Sequence, residues 1–232
     1  MAAAGIAARR KCEALILEGL VSVNGETVRD LGRQVDPGKD KILYRGKPVS
    51  FEAPVYFLLH KPAGYTTTVS DPHAEKTVLE LVPSALSHKV RLFPVGRLDK
   101  DSTGLLLLTN DGELANRLIH PRYGVGKRYE VTLDRPLEEK ARAKLLRGVQ
   151  LEEGPARAER VEELSGRKVR LTLREGKKRE IRRMFDRVGY RVQELCRVEF
   201  GTLKLADLPS GQGRLLTPQE EAALKRLAAS SV

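Results

Sequence analysis

The sequence predicts an α+β protein in two parts, a small N-terminal module and a larger domain in which helices flank a sheet. The chain has 232 residues, of which 41% are hydrophobic, enough for one large domain or two smaller ones. A run of leucines, Leu105–Leu108, is strand-length, is bounded by Gly104 and Gly112, and is typical of a strand buried on both faces. Elsewhere, apolar residues repeat at helical spacing. Strands and helices thus share one chain, and the second part begins near Ala53-Pro54.

The first part, residues 1–50, predicts a helix backed by a small curled sheet. Residues 7–18 have apolar positions at helical spacing, and Gly19 is placed to end the helix in a left-handed cap. Asn24-Gly25 is a strong hairpin signal, and a further short strand is expected over residues 42–44. The basic residues Arg9, Arg10 and Lys11 begin the helix and are expected to face outward. A core this small is expected to lean on its neighbour or its ligand.

The second part, residues 54–232, alternates strand and helix patterns. Residues 55–59 predict a buried strand that ends in a tight loop, where Lys61 is placed to meet a phosphate. Residues 114–119 predict a helix that Pro121 ends, residues 127–133 a strand, and residues 137–146 a second helix.

The loop that precedes the leucine strand carries Arg97 and Asp99. A nearby guanidinium favours the charged form of a carboxylate, so Asp99 is expected to be ionised and rigidly held at the mouth of the strand. Such an aspartate serves as a nucleophile, as a base or as half of a structural ion pair. On residue types alone, the structural pair is the favoured interpretation. Asp101 is expected to be a solvated loop residue.

Residues 167–191 form a basic strand-turn-helix segment. Val169, Leu171 and Leu173 alternate with basic residues, and after a turn the helix face consists of Ile181, Met184, Phe185 and Val188. This segment holds eleven basic and three acidic side chains, whereas residues 51–232 hold 33 and 25. The whole positive surplus of the larger part therefore lies here, which indicates phosphate binding.

Composition points to a polyanionic partner. The formal net charge is +11, which suits nucleic acid, although a basic protein without a polyanion remains the alternative. Cys12 and Cys196 lie far apart, so neither a disulfide framework nor a zinc site is indicated. The four histidines form no ligand cluster, and no metal or cofactor is expected. No signal peptide or bilayer-spanning stretch is apparent, so we expect a cytoplasmic protein, and without an extended apolar patch we expect a monomer.

Three stretches resemble the active-site motifs of pseudouridine synthases: Gly96–Gly112, Lys127–Tyr129 and Glu175–Met184. More narrowly, the chain resembles the RsuA/RluB family, which modifies ribosomal RNA and carries an alpha-L RNA-binding domain ahead of the catalytic one. The first 50 residues are similar to that alpha-L domain, which we expect to be shortened at its start. Residues 148–156 and 179–181 look closer to members that act on large-subunit RNA. The fold implied by the resemblance is a mixed, mainly antiparallel sheet with flanking helices.

The resemblance implies roles for individual residues. Asp99 matches the catalytic aspartate, which attacks the target uridine covalently so that the detached base rotates and rejoins through carbon. Tyr129 matches the tyrosine that stacks on the base and helps to move the C5 proton, and Ile181 matches the aliphatic residue that packs on the base. Lys177 is our candidate for holding Asp99 ionised, and Arg97 for displacing the target nucleotide. The expected RNA-binding residues are Arg9, Arg10, Lys11, Asn24, Lys61, Arg179, Arg182 and Arg183. The expected partner is ribosomal RNA or a pre-ribosomal particle.

Two other functions are compatible with parts of the sequence. A non-catalytic RNA-binding or ribosome-assembly protein would explain the charge and both domains, but not an Asp-Arg pair beside a buried strand with Tyr129 on another. A glycosidase would use Asp99 with Asp101, but two carboxylates on one loop are poorly placed to flank a sugar.

Overall fold

A sheet of nine strands organises the larger part of the protein in the computed structural model, which describes residues 1–69 and 73–230. The helices are α1 (Arg9–Leu17), α2 (Ser84–Ser87), α3 (Gly112–Ile119), α4 (Glu139–Arg147), α5 (Glu180–Arg187) and α6 (Pro218–Ser230). Short 3-10 helices cover Ala2–Ala4, Val78–Leu81 and Pro121–Tyr123. Within the described ranges, every helix is too short or too polar to cross a lipid bilayer.

The N-terminal module packs α1 beside a four-stranded sheet in the order β2-β1-β3-β4. Its strands are β1 (Val21–Val23), β2 (Glu26–Val28), β3 (Ile42–Tyr44) and β4 (Lys47–Pro48). The predicted hairpin at Asn24-Gly25 joins β1 to β2, and both turn residues have positive φ, as this type of turn requires. Four buried aliphatic side chains form a separate small core here: Val21, Val23, Val28 and Ile42.

The strands of the larger part are β5 (Tyr56–Lys61), β6 (Phe93–Pro94), β7 (Thr103–Thr109), β8 (Lys127–Leu133), β11 (Arg160–Ser165), β12 (Lys168–Leu173), β13 (Val192–Phe200), β14 (Leu203–Lys204) and β15 (Gly213–Leu215). They follow the order β11-β12-β8-β13-β7-β5-β15, with β14 on β13 and β6 on β7. A separate hairpin pairs β9 (Val149–Leu151) with β10 (Gly154–Ala156). Only the β13–β7 pairing is parallel among the described strands, which confirms the mixed, mainly antiparallel sheet.

The sheet separates two hydrophobic cores. One core includes side chains of α4 and α5, and the other includes side chains of α3 and α6. The leucines of β7 alternate between them, Leu106 and Leu108 in the first and Leu105 and Leu107 in the second, and all four have no exposed surface. The predicted strand buried on both faces is therefore confirmed, and it forms a rigid support for the loop that precedes it.

The close approach of β7 to β13 depends on Gly104. A Cβ atom at this position would lie 2.3 Å from the carbonyl oxygen of Arg197 and 2.5 Å from its amide nitrogen. The residue also has a φ of +106°, which side chains other than glycine rarely permit. The parallel pairing of β7 with β13 therefore requires glycine at the second position of β7, two residues after the loop 96–102.

Candidate active site

A cavity of roughly 840 Å³ opens where the loop 96–102 enters β7. This loop, the start of β8 and the segment leading into α5 form its walls. Asp99, Tyr129 and Ile181 all line it, together with Arg97. Tyr129 and Ile181 are buried and belong to the core that includes α4 and α5. The structure therefore brings together three residues that lie far apart in the sequence.

Lys61, the last residue of β5, holds the loop 96–102 in place through hydrogen bonds to its backbone. Its side chain has no exposed surface. Its Nζ donates hydrogen bonds to the carbonyl oxygens of Ser102 at 2.7 Å, Asp99 at 3.0 Å and Pro62 at 3.1 Å. Burial lowers the pKa of Lys61 to about 8, and the negative charges of Asp101 and Asp99 oppose this shift. The prediction that Lys61 meets a phosphate is therefore wrong, because backbone carbonyls enclose its ammonium group in the interior.

A second anchor of the same loop is Thr67. Its hydroxyl donates to the carbonyl oxygen of Leu98 at 2.8 Å, and the amide of Leu98 donates to the hydroxyl oxygen of Thr67 at 3.3 Å. Asp99 itself is half-buried, and its carbonyl accepts from the amide of Ser102 at 3.0 Å. In the described ranges, no hydrogen bond or ion pair engages the Asp99 carboxylate. The backbone is thus held on several sides while the carboxylate remains available to a ligand.

The predicted pair between Arg97 and Asp99 does not form. Arg97 is exposed, and no carboxylate oxygen of the described residues lies within 4 Å of its guanidinium. An exposed ion pair gains little over solvation of the two charges separately. Arg97 lines the cavity instead and keeps its side chain exposed.

Lys177 lines the cavity as predicted, but its ammonium group does not pair with Asp99. Its Nζ is 2.7 Å from a carboxylate oxygen of Glu175 and donates to the carbonyl of Pro155. The ammonium group is therefore turned toward the β9–β10 hairpin. The prediction that Lys177 holds Asp99 ionised is wrong for this reason.

Asp101 joins the loop to the N-terminal end of α5, which corrects its interpretation as a solvated residue. Its carboxylate accepts two hydrogen bonds of 3.2 Å from Arg179 and lies 3.1 Å from Nη2 of Arg182. Burial alone would raise the pKa of Asp101, but the hydrogen bonds from Arg179 and the charges of Arg182 and Arg179 lower it. Two of the three arginines predicted to bind phosphate are thus already paired with a carboxylate.

Arg183, the third arginine of this group, forms two hydrogen bonds with Glu153, at 2.7 and 3.0 Å.

In the N-terminal module, Arg9, Arg10 and Lys11 are exposed, as predicted for a surface that faces a ligand. Asn24 has a structural use, because its amide donates to Asp40 at 2.8 Å and accepts from the amide of Lys41 at 2.9 Å.

Among the ionisable side chains that line the cavity and were not predicted, three are buried or half-buried: Lys127, Glu180 and Arg197. Arg197 and Glu180 are 2% and 5% exposed. Burial raises the pKa of Glu180, and its Oε1 has no hydrogen-bond partner. The sequence contained a signal for Lys127, which begins the Lys-Arg-Tyr motif, but none that distinguished Arg197 from other arginines. In the part of the chain that the structure describes, no group of three or more His, Cys, Asp or Glu side chains is arranged to hold a metal ion.

Comparison with known proteins decides the family. The family model described as RNA pseudouridylate synthase matches residues 55–187, and the S4 domain model matches residues 1–45. The chain belongs to the RNA pseudouridylate synthase family. The S4 match confirms the RNA-binding type of module that the first 50 residues predict.

The similarity of this pseudouridine synthase to known proteins covers nearly the whole chain. The chain is 43% identical to the ribosomal large subunit pseudouridine synthase B of Bacillus subtilis, over 98% of this chain and 94% of the relative. It is 41% identical to an uncharacterised RNA pseudouridine synthase of Aquifex aeolicus, over 95% of this chain and 90% of the relative. The crystal structure of a pseudouridylate synthase superposes with a TM-score of 0.70 at 32% identity, over 96% of this chain and 95% of that one. The predicted family is confirmed.

Proposed function

We propose that this pseudouridine synthase isomerises a specific uridine of large-subunit ribosomal RNA, with Asp99 as the nucleophile. The observation that carries the proposal is the position of Asp99. Its backbone is fixed by Lys61 and by the amide of Ser102, and its carboxylate is unpaired in a cavity shared with Tyr129 and Ile181. The large-subunit substrate is supported by the relative from Bacillus subtilis, whose name records that substrate.

The cavity suits a single nucleotide that has left its stack. Unstacking costs a few kcal/mol, and the cost is smallest for an unpaired loop. In this proposal Tyr129 stacks on the flipped base, Ile181 packs against it, and Asp99 attacks C1′ of the ribose. Exposed Arg97 at the cavity mouth is placed to displace the target nucleotide or to fill the space that it leaves.

Two basic surfaces are proposed to hold the RNA around that nucleotide. One is the start of α1 with Arg9, Arg10 and Lys11, and the other is the N-terminal half of α5. We propose that residues 1–50 act as the RNA-binding domain and residues 54–232 as the catalytic domain. Because the proposed substrate is ribosomal RNA, we propose that the protein acts in the cytoplasm. We also propose that it acts as a monomer, because a single chain supplies every residue of the proposed site.

Release of tritium tests the proposal. Ribosomal RNA labelled with uridine tritiated at C5 is incubated with the wild-type protein, with Asp99→Asn and with Glu113→Gln. The last variant is the matched control, because it also converts a carboxylate to an amide but lies on α3, where Glu113 pairs with Arg117 at 2.8 Å. Wild type and Glu113→Gln should release tritium, and Asp99→Asn should be slower by at least about 10³-fold. Wild-type protein that releases no tritium from any ribosomal RNA would refute the proposal.

A further inference from the structure

Arg197 is a buried cation for which the described residues provide no anion. It lies on β13 and is 2% exposed. Its Nε donates to the carbonyl of Leu105 at 2.8 Å, and its guanidinium carbon lies 5.1 Å from the centre of the Phe200 ring. Its Nη2 is buried and has no partner, and no carboxylate oxygen of the described residues lies within 4 Å. A buried charge without a counter-ion is costly, so the site is electrostatically incomplete as it stands.

Lys127 adds a second cation on the same cavity wall. The contacts of its Nζ are long, 3.3 to 3.5 Å, and lead only to the carbonyl oxygens of Glu175, Arg174 and Val125. Burial and then the charge of Arg197 lower the pKa of Lys127 to about 8, while the charge of Glu180 opposes the shift. Two cations that repel one another therefore face the same space. The carboxylates of Asp99 and Glu180 also line the cavity, but neither lies within 4 Å of these two cations, so an anionic ligand can still pair with them.

These cations lie beside the proposed position of the base. Arg197 pairs with Tyr129 in the register of β13 and β8, so the two side chains project from the same face of the sheet. Both line the cavity that contains Asp99. An anion that satisfies Arg197 would therefore lie next to the ring of Tyr129 and within the catalytic cavity.

We propose that Arg197, assisted by Lys127, binds the uracil ring while it is detached from the ribose as an anion. This inference rests on the function proposed above. When Asp99 forms its bond to C1′, the bond between C1′ and N1 breaks and its electron pair passes to the uracil, where N1, O2 and O4 share the charge. The guanidinium and the ammonium group stabilise this charge by donating to the ring oxygens. C5 then forms the new bond to C1′ as the Asp99 carboxylate leaves. C5 gives its proton to solvent and N1 takes one up from solvent, which yields neutral pseudouridine.

The depth of the site favours the base over a phosphate group. A phosphodiester remains in the RNA backbone and would meet basic side chains at the surface, such as Arg97 and Lys178, which are exposed. Arg197 is 2% exposed and lines the cavity, so we propose that the flipped base is the group that reaches it. Stabilisation that exists only while the base carries charge contributes directly to the rate of the chemical step.

A substrate with 5-fluorouridine at the target position tests the inference. Fluorine at C5 withdraws electrons and stabilises the negative charge of the detached ring, so this substrate should depend less on Arg197. Loss of the target nucleoside is measured by nuclease digestion and chromatography, in single turnovers with saturating protein, so that RNA affinity does not enter. For uridine RNA, Arg197→Met should slow this step by about 10² to 10³-fold. For 5-fluorouridine RNA, the decrease in this rate caused by Arg197→Met should be at least about tenfold smaller. The rate of Arg197→Lys should lie between those of wild type and Arg197→Met on both substrates.

The control is Arg214→Gln, which removes a cation from β15 that is paired with Glu220 at 2.7 Å. It should affect both substrates equally and slightly. If Arg197→Met does not fold, Lys127→Met carries the same comparison, with a smaller defect that also shrinks on 5-fluorouridine RNA. An equal defect on both substrates, or a loss confined to RNA affinity and its salt dependence, would overturn the inference and indicate a phosphate ligand. Wild-type protein that is inactive on uridine RNA would instead refute the proposed function.

Discussion

The buried ammonium group of Lys61 makes the stability of the protein depend on pH in a direction that is unusual for a lysine with hydrogen-bond partners. Burial lowers its pKa to about 8, compared with 10.5 for a solvated lysine. The unfolded chain therefore binds more protons than the folded protein between these two values. Stability from this group accordingly rises as the pH increases through that window.

Lys61→Met isolates the effect. Below pH 8, the variant loses the hydrogen bonds to Ser102 and Pro62, at roughly 1–3 kcal/mol for each carbonyl left unpaired. The carbonyl of Asp99 retains the amide of Ser102 as a donor. Removing the buried charge raises the unfolding free energy of the variant by about 3 kcal/mol, because each unit by which folding lowers the pKa corresponds to about 1.4 kcal/mol. The two contributions nearly cancel, and we expect Lys61→Met to destabilise the protein by no more than about 3 kcal/mol at pH 7.

At higher pH the cancellation disappears, because the wild-type lysine loses its charge in the folded state. We expect the difference in unfolding free energy between wild type and Lys61→Met to grow by about 2 kcal/mol between pH 7 and pH 9.5. Urea unfolding of both proteins at several pH values measures this difference directly. The titration of Lys127 is common to both proteins and cancels in the comparison.

Lys100→Met is the matched control on the same loop. Lys100 is exposed, and its Nζ is 3.8 Å from a carboxylate oxygen of Glu75. The difference in unfolding free energy between wild type and Lys100→Met should therefore not change with pH. A difference for Lys61→Met that is constant with pH, or that shrinks as the pH rises, would refute the reasoning. It would show that the carbonyl oxygens stabilise the ammonium form more than burial destabilises it.

Three further predictions concern the loop, the sheet and the basic helix. Asp101→Asn should lower the unfolding free energy by about 1 kcal/mol at pH 7. Because folding lowers the pKa of Asp101, this difference should diminish as the pH falls from 7 through that lowered pKa, which urea unfolding at several pH values checks. Gly104→Ala should lower the unfolding free energy by at least about 3 kcal/mol, measured by thermal unfolding. A Cβ atom at Gly112 would have no atom within 4 Å, so Gly112→Ala should change the unfolding free energy by no more than about 0.5 kcal/mol. Arg182→Ala and Arg183→Ala should each weaken RNA binding and reduce the slope of log K against log salt by less than about 1, because each guanidinium group already has a carboxylate partner. An unchanged slope would place the phosphate contacts elsewhere.

Local pattern was sufficient for the elements whose periodicity is uniform. The leucines of β7 and the apolar face of α5 predicted those elements closely, since each is buried in the way its spacing requires. In contrast, β13 does not show the alternation of a strand. Two register shifts against β8, between Val192 and Glu194 and between Arg197 and Glu199, break the period of two. The strand that pairs with β7 and carries Arg197 was therefore missed.

The sequence indicated which residues meet in the candidate site, but not the ion pairs around them. Asp99, Tyr129 and Ile181 were recognised from motifs, and the fold brings all three into one cavity. The partner of Asp101 is 78 residues away, and sequence spacing gives no information on such a contact. Lys61 likewise looked like a surface lysine after a strand. Its burial results from the convergence of carbonyl groups of the loop 96–102, which only the folded chain displays.

The central claim is that this chain forms pseudouridine in large-subunit ribosomal RNA by means of Asp99. Mapping of pseudouridines in ribosomal RNA tests it most directly, in cells with the intact gene, without the gene, and with the gene encoding Asp99→Asn. We predict that at least one pseudouridine of the large-subunit RNA is lost equally in the second and third strains. A modification that persists with Asp99→Asn, or losses confined to small-subunit RNA, would contradict the account.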